Sequence, residues 1–359
     1  MRSYFRKEID AMAGYVPGEQ PKQALLCKLN TNENAFAPSS AVKNALESLD
    51  WERLRRYPDP TADALRDRIA ESFDVERKNV IACNGSDDLL TLIFRSFTSP
   101  ELAVACLDPT YSLYPELAKM QGAKIIPIGL DFEHDFALPG DLLEQAKAAN
   151  LLIITRPNAP TGNSFPLSTM REVCQMFDGV VLFDEAYADF ADDNCMEFAK
   201  EFDNVIVSRT FSKSYALAGL RLGFAVGNAK LIEGLFKVKD SYNLDMLTQV
   251  VGLAAFCDQK YLKERCGQIK AIRDDFAGQL QKLGFKVVPS QANFLFAAPP
   301  DGDGERYFRM LRENGILVRY FPGKITGKYV RITIGTPEEM QSVATVTEKI
   351  FPRGDTRRG

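Results

Sequence analysis

Seven short runs in the first two thirds of the chain are apolar at nearly every position: "VIAC" (80–83), "LAVACL" (102–107), "AKIIPIG" (123–129), "LLIIT" (151–155), "VVLFDE" (180–185), "VIVSRT" (205–210) and "GFAVG" (223–227). Continuous apolar runs of this length suit strands covered on both faces. Amphipathic stretches separate several of them, such as 87–97, with Leu89, Leu90, Leu92, Ile93, Phe94 and Phe97, and 168–177. Strand and helix in alternation predict an α/β fold with a mostly parallel sheet and right-handed crossovers. Sheets of this kind bind ligands at the carboxyl ends of their strands. After Gly227 the pattern changes to two long helices, 229–262 and 263–283, a few strands in "KVVPSQANFLFAA" (286–298), "ILVRYF" (316–321) and "YVRITIG" (329–335), and a last helix over 337–350. The expected division is an N-terminal arm (1–28), a large domain (29–254) and a small α+β domain (255–359).

Composition narrows the function. With 359 residues, 45% of them hydrophobic, the chain buries one large core or two unequal ones. The net charge of −4 and the lack of a basic stripe argue against nucleic acid; the locally basic tail "PRGDTRRG" reads as a frayed end. The seven cysteines, Cys27, Cys83, Cys106, Cys174, Cys195, Cys257 and Cys266, form no CxxC pair, so a reducing compartment and no structural zinc are expected. A single histidine, His134 in "DFEHDF", removes multi-histidine metal sites and reads as a loop residue without catalytic work. The N-terminus carries charges where a signal peptide needs an apolar run, and no 18-residue apolar stretch occurs. A cytoplasmic enzyme or binding protein is expected, with neither GxGxxG nor GxxxxGK[ST] to support a dinucleotide or P-loop site.

The polar residues gather at the strand ends. After "VIAC" comes Asn84-Gly85-Ser86-Asp87, opening a helix; free N–H groups there attract phosphate, although Ser86 or Asp87 as a plain N-cap would look identical. After "LAVACL" comes Tyr111, at a turn; after "LLIIT", Asn158 in "RPNAPTGN"; after "VVLF", Asp184 and then Tyr187. An aspartate ending an apolar strand is costly to leave unpaired, so it faces a cation or a strong donor, whether ligand or structural. The next tip is "SRTFSKSYALAGLRLGF" (208–224), with Lys213 among Ser208, Thr210 and Ser212, and Arg221 between glycines. A lysine in a closed pocket near positive groups loses its preference for the ammonium form, which favours imine chemistry. One ligand uses all of these at once. Pyridoxal 5′-phosphate has an aldehyde for the lysine, a phosphate for the helix start, the hydroxyls and Arg221, a phenolic oxygen for Asn158 and Tyr187, and a pyridinium for Asp184.

The chain resembles the fold-type I pyridoxal-phosphate aminotransferases, and most closely their histidinol-phosphate aminotransferase branch. The similarity is carried over nearly the whole length by "GYVPGEQP" (14–21), "LNTNENAFAPS" (29–39), "RRYPDP" (55–60), "NGSDDLL", "DPTYSLY", "RPNAPTG", "FDEAY", "SRTFSKSYALAGLRLG", "ANFLF" (292–296), "GILVRYF" (315–321) and "RITIGT" (331–336). The resemblance implies a large domain with a mostly parallel mixed sheet between helices, a smaller α+β domain, and a homodimer. It implies that Lys213 holds the cofactor and then shuttles the proton between substrate Cα and cofactor C4′, that Asp184 keeps the ring nitrogen protonated, and that Asn158 and Tyr187 bond the phenolic oxygen. Tyr111 would stack on the ring. Ser86, Asp87, Thr210, Ser212 and Arg221 would hold the phosphate, joined by Tyr57 from a second subunit. Arg319 and Arg331 would anchor anionic ends of substrates, with Tyr15 and Asn34 lining the entrance. Trp51 is expected to be a packing aromatic.

Two segments depart from the family's pattern. The loop usually resembling N-P-N-N-P-T-G carries Arg156 and Ala159, and that usually reading N-E-N-P-x-G-P carries Ala35, Phe36 and Ala37. The resemblance implies amino transfer between histidinol phosphate and 2-oxoglutarate. Within the same fold, decarboxylation of threonine phosphate and an aromatic or broad-range aminotransferase are the alternatives. A regulator built on this body would need a DNA-binding domain, and only about 25 residues precede the first matched core segment.

Overall fold

A computed structural model describes residues 3–15, 18–22 and 25–352. Val16 and Pro17 of the "YVPG" motif, and the basic tail beyond Pro352, lie outside the described residues. Strand β1 (Cys27–Lys28) precedes a large-sheet series: β2 (Val80–Cys83), β3 (Ala103–Asp108), β4 (Ile125–Gly129), β5 (Ala149–Thr155), β6 (Val180–Asp184), β7 (Val205–Thr210) and β8 (Gly223–Gly227). These seven form one sheet in the order β2-β8-β7-β6-β5-β3-β4. All neighbours from β7 to β4 pair in parallel, whereas β8 runs antiparallel to both β7 and β2.

Strand alternation sorts the apolar runs onto two covered faces. Ile81, Cys106, Ile153, Leu182 and Ile206 form one core with helices Gly85–Phe97, Leu113–Gln121 and Ala229–Val238. Ala82, Leu107, Ile154, Phe183 and Val207 form the other, with helices Asp63–Phe73, Leu167–Met176 and Met246–Cys257. Only β4, at the sheet edge and containing Pro127, leaves most of its residues partly open.

The later part of the chain supplies β9 (Lys286–Val287), β10 (Phe294–Ala298), β11 (Ile316–Leu317), β12 (Arg319–Tyr320) and β13 (Val330–Thr333). Four of them make an antiparallel sheet in the order β12-β13-β10-β9, while β11 pairs in parallel with β1 and so ties the N-terminal segment to this part. Helices Gln259–Lys282, Gly304–Glu313 and Pro337–Ile350 cover it.

Two expectations are corrected here. The stretch 229–262 is not one helix: it breaks over 239–245, "KDSYNLD", where the Asp245 side chain accepts the Thr248 N–H and caps the next helix. Asp258 caps the third in the same way. Short polar side chains compete for backbone donors, and that local chemistry outweighs a continuous apolar period. Trp51 is 62% exposed, in a one-turn segment (Trp51–Arg55) with no buried residue. Among the described residues no helix is long and apolar enough to cross a membrane, and no group of metal-ligating side chains occurs.

Phe183 is fully buried in β6 and packs on Phe198 at 6.1 Å between ring centroids. Phe183→Ala is expected to lower stability by about 3–5 kcal/mol, read from the urea midpoint.

Candidate active site

The carboxyl ends of β5, β6 and β7 stand in register: Thr155 pairs with Asp184, and Asp184 with Ser208. They open into a cavity of about 460 Å³ that reaches from the large sheet to Arg319 and Arg331 of the small one. Asp184 is 4% exposed. Its Oδ2 accepts from the Tyr114 hydroxyl at 2.7 Å, and its Oδ1 from the Ala186 N–H at 3.3 Å and the Ser208 hydroxyl at 3.4 Å. Burial raises its pKa, against the lowering by the Tyr114 bond. A cation placed here would reverse that shift.

Lys213 projects into the same cavity from the loop after β7, half-buried, and its Nζ donates to the Thr31 carbonyl at 2.9 Å. Burial pushes its pKa down to about 8; Arg331 and Arg221 push the same way, and Glu33 and Asp87 oppose. The amine is therefore poised between its charged and neutral forms near physiological pH, as imine formation requires. Its main chain is anchored, because the Asn34 amide donates to the Lys213 carbonyl at 2.8 Å and to that of Ser214 at 3.1 Å.

Helix Gly85–Phe97 begins beside the lysine. No side chain caps it; the Asn84 N–H is satisfied by Asp88, and Ser86 and Asp87 are the second and third helical residues rather than caps. Gly85 has φ +84°, and a Cβ there would come within 2.6 Å of Arg221 Nη2. A Cβ on Gly223 would meet the Ser86 nitrogen at 2.9 Å. The two glycines thus let Arg221 and the helix start approach each other closely. Arg221 itself is left-handed at φ +56°, a conformation that costs a non-glycine residue about 1–2 kcal/mol and aims the guanidinium at Ser212 Oγ (3.3 Å) and Asp87 Oδ2 (3.1 Å). Asp87 Oδ1 accepts from the Tyr111 hydroxyl at 3.2 Å, so the Asp87 carboxylate is occupied by donors and only its backbone N–H is suited to an anion.

Across the cavity, Arg319 and Arg331 are register partners on β12 and β13. Both line the cavity rather than an outer sheet face. Arg331 donates from Nη2 to the Asn30 carbonyl at 2.8 Å, while its Nε is buried without a partner. Burial lowers its pKa, which marks a guanidinium short of counter-charge. Tyr15 also lines this cavity, edge-on to Tyr111 at 6.2 Å.

Ser86, Asp87, Tyr111, Asp184, Tyr187, Thr210, Ser212, Lys213, Arg221, Arg319, Arg331 and Tyr15 are thereby brought together around one cavity. Three expected residues lie off its wall. Asn34 holds the lysine loop, as above. Asn158 is fully buried with both N–H groups taken, by the Pro109 carbonyl (3.0 Å) and Thr161 Oγ1 (2.8 Å), leaving Oδ1 unpartnered. Tyr57 is 79% exposed and stacks on Tyr242 at 4.5 Å. Of the departures, Arg156 turns away to the Phe165 carbonyl (2.8 Å) and Asp193, and Phe36 packs under Arg265, leaving Ala159 and Pro160 at the wall. His134 is exposed and bonded to Asp131.

Tyr114, Asn32 and the Lys28–Glu33 pair escaped sequence reasoning. Tyr114 lies three residues beyond Tyr111 in "DPTYSLY", one helical turn on, which is the signal that could have found it. Asn32 donates to the Tyr187 hydroxyl at 2.9 Å, and Glu33 lines the cavity paired with Lys28. Asn32 and Tyr187 lie 155 residues apart, so no local pattern marks that contact, and the Lys28–Glu33 pair, five residues apart, follows no helical or strand period.

The donor set suits pyridoxal phosphate: an uncapped helix start cleared by Gly85 and Gly223, a half-buried amine, a carboxylate buried without a cation, and Tyr187, whose oxygen accepts from Asn32 and so keeps its own proton to donate. Two outcomes follow. Gly223→Ala should push the helix start away from Arg221 and weaken retention of the cofactor by about tenfold or more, measured by dialysis and absorbance. Because Lys213 binds its proton less tightly in the folded chain, the cofactor-free protein should gain stability as pH rises from about 8 to 10.5, and Lys213→Met should remove that rise while stabilising the chain at neutral pH, read from urea midpoints.

The family model for Aminotransferase class I and II matches residues 26–346. Histidinol-phosphate aminotransferase 1 of Trichormus variabilis is 42% identical over 340 residues, 94% of this chain and 96% of its own length. Histidinol-phosphate aminotransferase of Geotalea daltonii is 42% identical over 346 residues, covering 96% and 99%. The structure of histidinol-phosphate aminotransferase from Sinorhizobium meliloti in complex with pyridoxal 5′-phosphate shares the fold, with a TM-score of 0.89 at 23% identity and 98% of both chains covered. The chain belongs to the aminotransferase class I and II family, and is a pyridoxal-phosphate-dependent enzyme of that family.

Proposed function

We propose that this chain transfers the amino group of histidinol phosphate to 2-oxoglutarate, yielding imidazole acetol phosphate and glutamate. The observation that carries the reading is the second anion grip: Arg319 and Arg331 share the cavity with Lys213, and the buried Arg331 Nε has no partner within the protein. A phosphate or carboxylate on the substrate supplies one. The names of relatives at 42% identity agree with a phosphorylated amine as one of the two substrates.

Bound pyridoxal phosphate supplies a carbonyl carbon to receive nitrogen and a ring that withdraws electrons. Residues 29–254 hold it and residues 255–359, with the arm, bring the substrate arginines. Lys213 would carry the proton between substrate Cα and cofactor C4′, a role that its lowered pKa favours. Asp184, steadied by Tyr114, keeps a proton on the ring nitrogen. Tyr187 would donate to the phenolic oxygen, and Asn158 would join it by releasing an N–H from Thr161 Oγ1. Tyr111, which lines the cavity, would stack on the ring. The N–H groups of Ser86 and Asp87, the hydroxyls of Ser86, Thr210 and Ser212, and Arg221 hold the phosphate. Tyr57 of a second copy completes that grip in a homodimer, consistent with its exposure. Tyr15 and Asn34 shape the entrance, Asn34 through the lysine loop.

Histidinol phosphate should bleach the visible absorbance of the loaded protein and 2-oxoglutarate should restore it. Equal bleaching by phenylalanine would favour an aromatic aminotransferase, and carbon dioxide release from threonine phosphate without 2-oxoglutarate a decarboxylase. Arg331→Ala should raise KM for histidinol phosphate by about 100-fold or more, since a charged hydrogen bond to a buried fork is lost. Lys213→Ala should abolish turnover.

A further inference from the structure

The reactive strand ends have a back. Asp184 lines the cavity and pairs in register with Ser208, whose hydroxyl donates to it, so alternation turns their neighbours Glu185 and Arg209 through the opposite face of the sheet. There the two form a buried pair, with Arg209 Nε and Nη2 at 2.9 and 2.8 Å from Glu185 Oε2, and with side chains 9% and 0% exposed. Arg209 Nη1 makes a further bond to Asp189 Oδ1 at 2.7 Å. The other oxygen of Asp189 accepts from the hydroxyl of Ser214, the residue that follows Lys213. A relay of charges and hydrogen bonds therefore runs behind the site, from the neighbour of Asp184 to the neighbour of Lys213.

The relay matches what the lysine loop needs. On the front, the Asn34 amide holds the Lys213 and Ser214 carbonyls. On the back, Tyr215 stacks on Phe211 at 4.5 Å, and a cavity of about 350 Å³ lined by Asp189, Arg209 and Tyr215 adjoins the loop. The Asp189–Ser214 bond restrains the loop there, beside the bond from the Gln259 amide to the Tyr215 hydroxyl at 3.3 Å, and its anchor is firm because Arg209 is held by two carboxylates in a region of low dielectric. None of these four side chains except Ser214 is adjacent in sequence to the amine, and none lines the front cavity.

We propose that Arg209, Asp189 and Ser214 are positioning residues that fix the lysine loop relative to the strand end carrying Asp184, and so set the angle between the amine and the cofactor ring. The proposal rests on the reading that Lys213 and Asp184 flank the cofactor. Small misplacements of a proton-transfer group cost rate rather than binding.

The test uses the cofactor-loaded enzyme with Ser214→Ala, Ser214→Thr and Asp189→Asn. Ser214→Ala, which removes one hydroxyl, should lower kcat about tenfold with KM within about twofold of the original. It should also change the visible circular dichroism of the bound cofactor, which reports ring orientation and not activity. Asp189→Asn should do the same, and Ser214→Thr, which keeps a hydroxyl, should restore both readouts. Unchanged dichroism and kcat in Ser214→Ala and Asp189→Asn would overturn the proposal, whatever happens to the melting temperature, because the relay would then serve folding alone. If the unaltered protein took up no cofactor on Lys213, the proposed function would fail instead, and the two failures are distinguished by the absorbance of that sample.

Discussion

A carboxylate at the end of a fully buried strand has to be satisfied where it stands, and the molecule is arranged around how Asp184 is satisfied. It is 4% exposed, the sheet offers only its two neighbours in register, and Tyr114 reaches over from a helix on the same face. These donors hold the group but do not neutralise it, and burial keeps its proton affinity high. A cation is the partner that such a site lacks. Lys213, on the loop after the next strand, brings a half-buried amine to the same cavity, its pKa lowered by burial and by Arg331 and Arg221.

The period of two in the strands divides the chemistry from the scaffold. At the tips of β6 and β7 one residue enters the cavity and the next enters the core behind it. Leu182 and Asp184 share a face with the helices that bring Tyr114 and the cradle at the uncapped helix start, whereas Phe183, Glu185 and Arg209 belong to the other. One strand thus orients a reactive group with its odd or even positions and braces it with the rest. The cradle is built on the same economy of space. Gly85 and Gly223 clear the room that lets a strained Arg221 face an uncapped helix start, and neither would do so with a side chain.

The second sheet contributes what the first does not: a wall of guanidinium groups with an unfilled donor. Its attachment to the N-terminal segment through β1 and β11, and through Asn32 to Thr333, brings Asn32, Glu33 and Tyr15 to the same cavity from the far end of the chain. The cavity is therefore walled by segments some three hundred residues apart, joined by the 3.0 Å bond between the Asn32 N–H and the Thr333 hydroxyl.

The sequence by itself determined the large sheet, because runs such as "LLIIT" and "VVLF" are apolar at every position and only burial on both faces accounts for them. It also determined the polar residues at the strand ends and the lysine segment, since costly groups such as Asp184 stand out where an apolar run stops. It could not show that 229–262 is broken, because Asp245 and Asp258 cap new helices without interrupting the apolar period. Nor could it show that Trp51 is exposed, that Asn34 and Asn158 turn to the main chain and a neighbouring hydroxyl, or that Tyr114 meets Asp184. Those outcomes belong to tertiary structure for one physical reason. Periodicity and strand ends are local consequences of burial, whereas the partner of a side-chain hydrogen bond is chosen by whichever distant segment the packed fold brings within 3 Å or so.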